Sequence, residues 1–365
     1  MDALLLLAGG VALYLGAEWL VGGASSLALS LRVPKLLVGL TVVAYGTSAP
    51  EVVVGVQAGL TGHGGVALGN VIGSNIANLG LILGIAALVK PARVDGALRR
   101  RELPVLAATA ALVPLLLLDG VVSRLESVTL LLGALVYTGA MVRGARPADV
   151  AEAVASTRVE AEVAETEGAP PTEESSRARQ VLVATAGLLV LVLGGHLFVR
   201  GATGLALSLG MSERLVGLTI VAIGTSLPEL ATSVLAALRG HSDIAVGNVV
   251  GSNVFNVLLC LSAAGLAGSV TAPLAGLVPE LAVLGGLTLL AVVFLRTERV
   301  LQRWEGGVLL AAYVAFLAWR ALERARERAP RLATKERPSA LRRGRASRPP
   351  WPPRRRGALR IEPAS

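Results

Sequence analysis

Cysteine is almost absent from this chain. Cys260 is the single one, which excludes an internal disulfide framework and a multi-cysteine metal site; it reads most simply as a small buried apolar residue. Aromatic residues are scarce at 3%, so Ala, Val, Leu and Gly carry the apolar mass. Such a composition suits closely packed membrane helices, because small residues let backbones approach. The ten-residue alternating segments of a spanning β-barrel do not occur. After Met1-Asp2 the sequence enters apolar residues with no basic n-region and no clear cleavage site, so a retained helix is expected there, not a signal peptide.

What is present is hydrophobic. Such residues make up 53% of the chain and the mean hydropathy is +0.67, more apolar than a soluble domain averages. A spanning helix needs roughly 20 mostly apolar residues. That predicts an all-α integral membrane protein with about ten transmembrane helices, near 3–24, 36–60, 66–90, 102–119, 124–143, 181–200, 213–238, 244–266, 273–295 and 305–321. Residues 144–178 are rich in Ala and Glu, contain Gly168-Ala169-Pro170-Pro171, and read as a solvated acidic linker. Residues 322–365 are rich in Arg and Pro and read as a basic disordered tail, or more sharply as a contact for anionic lipid headgroups. The formal charge of +9 belongs to this tail, since 15 of the 34 Lys and Arg residues lie from Arg320 onward. No nucleic-acid partner is expected for the body.

An internal repeat sets the architecture. GLTVVAYGTSAPE (39–51) returns as GLTIVAIGTSLPE (217–229), and GNVIGSNIAN (69–78) as GNVVGSNVFN (247–256). The offset is 178 without a gap, and 34 of 65 positions are identical between 16–80 and 194–258, which chance does not produce. The expected division is a first repeat (1–143, helices 1–5), the linker, a second repeat (179–321, helices 6–10) and the tail. Five helices is an odd number, so the second repeat enters the membrane inverted, and inverted halves with a site at their interface are a transporter architecture. With the N-terminus outside, the inside connections hold 16 basic residues and the outside ones three. That follows the positive-inside rule, although it leaves the basic tail outside.

The chemistry lies in the repeated motifs. Glu51 and Glu229 each fall inside an apolar helix, where a carboxylate is costly and marks a functional site, and no Lys or Arg lies in 36–60 or 66–90 apart from Lys90 at the edge. Pro50 and Pro228 precede them, and a helical proline removes one backbone hydrogen bond and clashes with the carbonyl four residues back, here Gly46 and Gly224. The helix is expected to open there, freeing carbonyls around Ala44–Thr47 and Ala222–Thr225. Carbonyls, hydroxyls and carboxylates form an all-oxygen set suited to a hard cation. In the second motif Ser74 and Asn78 share one helical face, as do Ser252 and Asn256, and these faces are read as cation-lining. Asn70, Asn75, Asn248 and Asn253 read equally well as ligands or as hydrogen bonds between helices.

These two motifs, each present twice, resemble the alpha repeats of the calcium/cation antiporter superfamily, and most of all the prokaryotic sodium/calcium exchangers. The resemblance spans residues 1–321 in plan and is specific over 39–78 and 217–256. It implies a core of helices 2, 3, 7 and 8 in a multi-pass protein of the cell membrane, the inner membrane in a bacterium. It implies Ca²⁺ ligation by the Glu51 and Glu229 carboxylates and the Thr47 and Thr225 carbonyls. Na⁺ would be held by Ser48, Ser74, Ser226 and Ser252, the same glutamates, and the Ala44 and Ala222 carbonyls. Asn78 matches an asparagine near the centre of the family's site. Its mate is aspartate in some members but Asn256 here, leaving two formal negative charges instead of three and disfavouring potassium co-transport.

The function so implied is Na⁺/Ca²⁺ antiport by alternating access, with helices 1 and 6 sliding over the core. Ca²⁺ and Na⁺ are substrates, no cofactor is involved and the protein is not an enzyme. Proton/calcium antiport through the same glutamates is the nearest alternative, and a passive cation channel a more distant one. Glu18 occupies the repeat position of His196, and the mismatch argues against a shared ligand role; a gating or proton-linked role stands beside a plain helix contact. His63 and His241 are isolated in short connections on opposite faces and make no metal site.

Overall fold

The computed structural model describes residues 1–31, 33–94, 96–144, 176–211, 224–297 and 300–335. The helices are α1 (Asp2–Leu31), α2 (Lys35–Thr47), α3 (Ala49–Leu60), α4 (Gly64–Val89), α5 (Leu103–Leu116), α6 (Arg124–Arg143), α7 (Arg177–Ser208), α8 (Leu227–Leu238), α9 (Ser242–Ala267), α10 (Val278–Thr297) and α11 (Arg303–Lys335). Seven of these, α1, α4, α6, α7, α9, α10 and α11, are long and apolar enough to cross a bilayer, and α2 with α3 makes an eighth as one span bent by 44°. Of the other two expected spans, the fourth is the shorter α5, preceded by a π turn at Leu98–Glu102. The seventh is described from Gly224 onward and contains α8. Ala222 lies outside the described residues, as do 145–175 of the linker and 336–365 of the tail.

The last helix passes the expected boundary at 321 and runs to Lys335. Its sequence from Arg320 is mostly Ala, Leu, Arg and Glu, strong helix formers, and Arg320 pairs with Glu323 at 2.6 Å. Two compact units divide there. Met1–Phe316 holds everything discussed below, and Leu317–Ser365 contributes only the end of α11 to the described residues.

Burial sorts the helices by position. In α4 and α9, 78% and 94% of the spanning window is buried, against 22–33% for the other long helices. The repeated GNVxGSN segments therefore form the centre, and the Leu- and Val-rich helices α1, α6, α7, α10 and α11 turn apolar faces outward, as a bilayer requires.

Two miniature sheets show which connections share a side. β1 (Ala92–Arg93) pairs antiparallel with β4 (Val300–Leu301), and β2 (Val121–Val122) with β3 (Val270–Thr271). Strand pairing places the loops after α4 and α10 together, so an even number of crossings separates them; the same holds for the loops after α5 and α9. β1 and β3 occupy repeat-equivalent positions, so the pseudo-two-fold exchanges the two sheets. A capping pair is retained as well. Glu126 accepts from the Ser123 amide and Glu305 from the Gln302 amide, each at 2.7 Å.

Glycine spacing fixes the closest helix pair. Gly9, Gly16 and Gly23 of α1 are seven apart, as are their repeat mates Gly187, Gly194 and Gly201 of α7. The two helices pack along their length, and a Cβ on Gly16 would fall on the Leu191 backbone, one on Gly194 on Leu13, and one on Gly23 within 2.7 Å of the Ala184 nitrogen. Small residues admit this approach, and with lipid on the outer faces it is van der Waals packing that holds the pair together. Gly16→Ala is expected to lower the thermal unfolding midpoint of the detergent-solubilised protein, at a cost of about 1–3 kcal/mol. Gly22→Ala, where nothing lies within 4 Å, should leave the midpoint unchanged.

Candidate cation site

Proline positions the two glutamates. Pro50 and Pro228 stand in the first turns of α3 and α8, where the absent N–H costs nothing within the new helix. Ser48 (φ −80°, ψ 3°) and Ser226 (φ −89°, ψ 8°) carry the chain across the breaks. Glu51 and Glu229 then fall in first turns, where the helix dipole favours negative charge. The opening is narrower than proline alone suggests. The Ser48 amide still donates to the Ala44 carbonyl at 3.1 Å, so that carbonyl is engaged and not freed.

Both carboxylates are buried, each residue 1% exposed, and among the described residues neither forms an ion pair. The repeats cross at this point. Ser48 donates to Glu229 Oε1 at 3.3 Å, while Glu51 faces the Thr225 and Ser226 hydroxyls without closing a hydrogen bond. Both oxygens of Glu51, Oε2 of Glu229, Oγ of Ser226 and Ser252, and the whole amide of Asn78 are buried without a partner. An unsatisfied buried polar atom is costly and calls for a reason. A hard cation supplies one, since every unpartnered atom here except the Asn78 nitrogen is an oxygen.

The asparagines divide by role. Asn70 donates to the Glu51 carbonyl at 3.1 Å and Asn248 to the Glu229 carbonyl at 3.5 Å, the same bond in both repeats. Asn248 also donates to Ser233 Oγ at 2.9 Å and accepts from Thr47 Oγ1 at 3.1 Å. Asn75 reaches across the two-fold to the Asn253 carbonyl at 3.2 Å, and Asn253 bonds the Val249 carbonyl of its own helix at 2.7 Å. These four amides hold backbone.

Asn78 and Asn256, equivalent in sequence, differ in structure. Asn256 donates to Ser74 Oγ and Asn75 Oδ1, both at 3.0 Å, and its Oδ1 accepts from Cys260 Sγ at 3.3 Å. Its amide is fully engaged where that of Asn78 is open. Each begins a π turn, Asn78–Ile82 and Asn256–Cys260, a local widening frequent at functional sites. Ser74 is also tied, donating to the Asn70 carbonyl at 2.7 Å. Thr232, fully buried with an unpartnered hydroxyl three residues beyond Glu229, was not anticipated. Its repeat mate is Val54, so no symmetry signal marked it, and Cys260 gave no sign of bonding a site residue.

No cluster of three or more His, Cys, Asp or Glu residues occurs among the described residues. The centre instead combines two carboxylates with hydroxyls and amides, between broken helices of inverted halves. That arrangement defines a membrane transporter of cations.

The sodium/calcium exchanger protein family model matches residues 1–143 and 179–322, and the chain belongs to that family. Among its relatives, the inner membrane protein YrbG of Escherichia coli is 38% identical over 70% of this chain and 77% of its own length. The sodium/calcium exchanger MaX1 of Methanosarcina acetivorans is 31% identical over 87% of this chain and 97% of its own. A solved structure of the sodium-calcium exchanger NCX_Mj, soaked with Na⁺ and Ca²⁺, superposes with a TM-score of 0.73 at 30% identity, covering 87% of this chain and 97% of that one.

The contrast between the two asparagines is testable. Asn256→Ala strands three buried partners and should lower the unfolding midpoint, at about 1–3 kcal/mol. Asn78→Ala removes no hydrogen bond, so it should leave the midpoint in place and raise the half-saturating ion concentration about tenfold in a binding titration.

Proposed function

We propose that this chain exchanges Na⁺ for Ca²⁺ across the cell membrane by alternating access to one shared site between its inverted halves, 1–143 and 179–321, with 144–178 as the joining linker. The observation that carries the reading is the pair of buried, unpaired carboxylates Glu51 and Glu229, facing unpartnered hydroxyl and amide oxygens at matched helix breaks. One Ca²⁺ neutralises both charges. Na⁺ ions use the same oxygens, among them the carboxylates, Ser48, Ser226, Ser74 and Ser252, with backbone carbonyls at Thr47 and Thr225 on the Ca²⁺ and Ala44 and Ala222 on the Na⁺, Ala44 through the lone pair that its bond from the Ser48 amide leaves open. Shared ligands make the two ions compete, and competition at a site open to one side at a time gives antiport. Membership of the exchanger family and the likeness to NCX_Mj and MaX1 support the choice of ions.

Calcium uptake into proteoliposomes tests this directly. Uptake is expected with internal Na⁺ and not in gradient-free vesicles. Uptake driven by a proton gradient alone would move the chain to proton coupling with the site retained, and uptake without any counter-ion would indicate a channel.

Glu51→Gln and Glu229→Gln should each reduce exchange at least a hundredfold while the protein still inserts and remains monodisperse, because one carboxylate cannot neutralise a divalent ion at membrane depth. Wild-type rates in either variant would remove the glutamates from the site.

A further inference from the structure

Among the described residues, the pseudo-two-fold that relates the halves is broken at a place outside the ion site. On one side, Arg239 at the end of α8 pairs with Glu18 of α1 at 2.6 Å, and Tyr14, one turn earlier on α1, lies beside the same guanidinium. α1 lies against α8 there. The repeat mates of Glu18, Tyr14 and Arg239 are His196, Val192 and Thr61, which cannot form an ion pair. Thr61 instead donates to the Gln57 carbonyl of its own helix at 2.8 Å. Among the described residues, α3 and α7 have no such tie at the equivalent place. A cavity of about 380 Å³ lies between α7 and α3, lined by Val192, His196, Val53 and Val54, and it ends at Pro50, Thr225 and Pro228 beside the ion site.

α3 and α8 run from the breaks towards opposite faces, because the halves are inverted. The cavity and the ion pair therefore guard opposite routes to the same site. Arg239 is the one basic residue of its connection, which lies on the side whose connections together hold 16 Lys and Arg residues. Because α1 and α7 are locked by their glycines, separating α1 from α8 carries α7 with it towards α3.

We propose that the Glu18–Arg239 ion pair is a latch closing the route on the basic side, and that its absence from the equivalent place biases the ion-free protein towards opening on the other side. The proposal rests on the antiport reading, since it assigns positioning residues to the access step. Among the described residues, no hydrogen bond or ion pair joins Glu18 or Arg239 to a proposed ion ligand.

The test has two parts on the intact protein in lipid. The first is hydrogen–deuterium exchange without ions, comparing Glu18→Gln, Arg239→Gln, their double variant and Arg239→Lys. Amides near 233–241 should exchange about two- to fivefold faster in both single variants, the range an exposed ion pair supports. The double variant should add nothing further, and Arg239→Lys should match the wild type. The second part is half-saturation by Ca²⁺ from each face in oriented proteoliposomes. A shifted population weakens binding from one side and tightens it from the other, whereas general loss of packing moves both together. Unchanged exchange in the single variants, additive effects in the double, or parallel shifts at the two faces would each overturn the latch. The exchange measurement needs no transport of Ca²⁺, so a wrong ion assignment and a wrong latch fail separately.

Discussion

Two carboxylates buried together without a cationic partner are the constraint around which the rest of the molecule is arranged. Burial of one ionised carboxylate is costly, and burial of two within reach of each other's charge is more so. The protein gives Glu229 one hydroxyl donor, Ser48, and places both glutamates at helix N-termini. It goes no further. The remaining demand must be met from outside by an ion, and an ion that meets it must later leave. A fully satisfied pair, bonded to arginine for instance, would be a structural bridge with no transport cycle.

This incompleteness has to be held open against collapse, which is the work of the neighbouring amides. Asn70 and Asn248 bond the backbone carbonyls of the glutamates themselves, fixing the first turns of α3 and α8 to α4 and α9. Asn75 and Asn256 tie α4 to α9 across the two-fold. Rigid backbone with unsatisfied side chains is a preorganised site, in which the cost of ordering ligands is met on folding and not on binding. Around this core, α1 and α7 are joined by heptad-spaced glycines, so they can shift as a pair with little internal change.

The repeat made the symmetric part of this arrangement legible. Identity at 178-residue spacing located both glutamates, both prolines and the serine and asparagine faces before any helix was placed, because these polar residues are the same in each half. What stayed hidden was asymmetric. Asn78 and Asn256 are identical in sequence, yet Cys260, facing Asn256 where Asn78 has Ile82 four residues on, gives one of them an acceptor role that closes its amide. Thr232 had no counterpart to flag it. The Ala44 carbonyl was expected to be free because the whole turn was expected to open, although the bond that Pro50 deletes is the one to Gly46. The retained bond from Ser48 depends on how far the chain bends, and 44° is not enough to break it. Helix ends were also missed, as hydropathy measures the bilayer and not the helix: α7 runs past its apolar window at both ends, and α11 continues through charged, helix-forming sequence.

Symmetry and its failure serve different steps. Inverted duplication means that if one arrangement of the halves opens the site to one face, the arrangement related to it by the pseudo-two-fold opens it to the other, so two access states come from one fold. Perfect symmetry, though, would make the two states equal in energy when empty, with no preference set by the protein. Some of the ways in which this chain departs from its own repeat lie on the helices that line the routes: Glu18 against His196 on α1 and α7, Thr232 and Ser233 on α8 against Val54 and Gly55 on α3. The residues proposed to bind the ion are identical in the two halves, while residues along only one route differ. If the Glu18–Arg239 pair is a latch, it is through the second group that the balance between the two faces is set, independently of affinity at the centre.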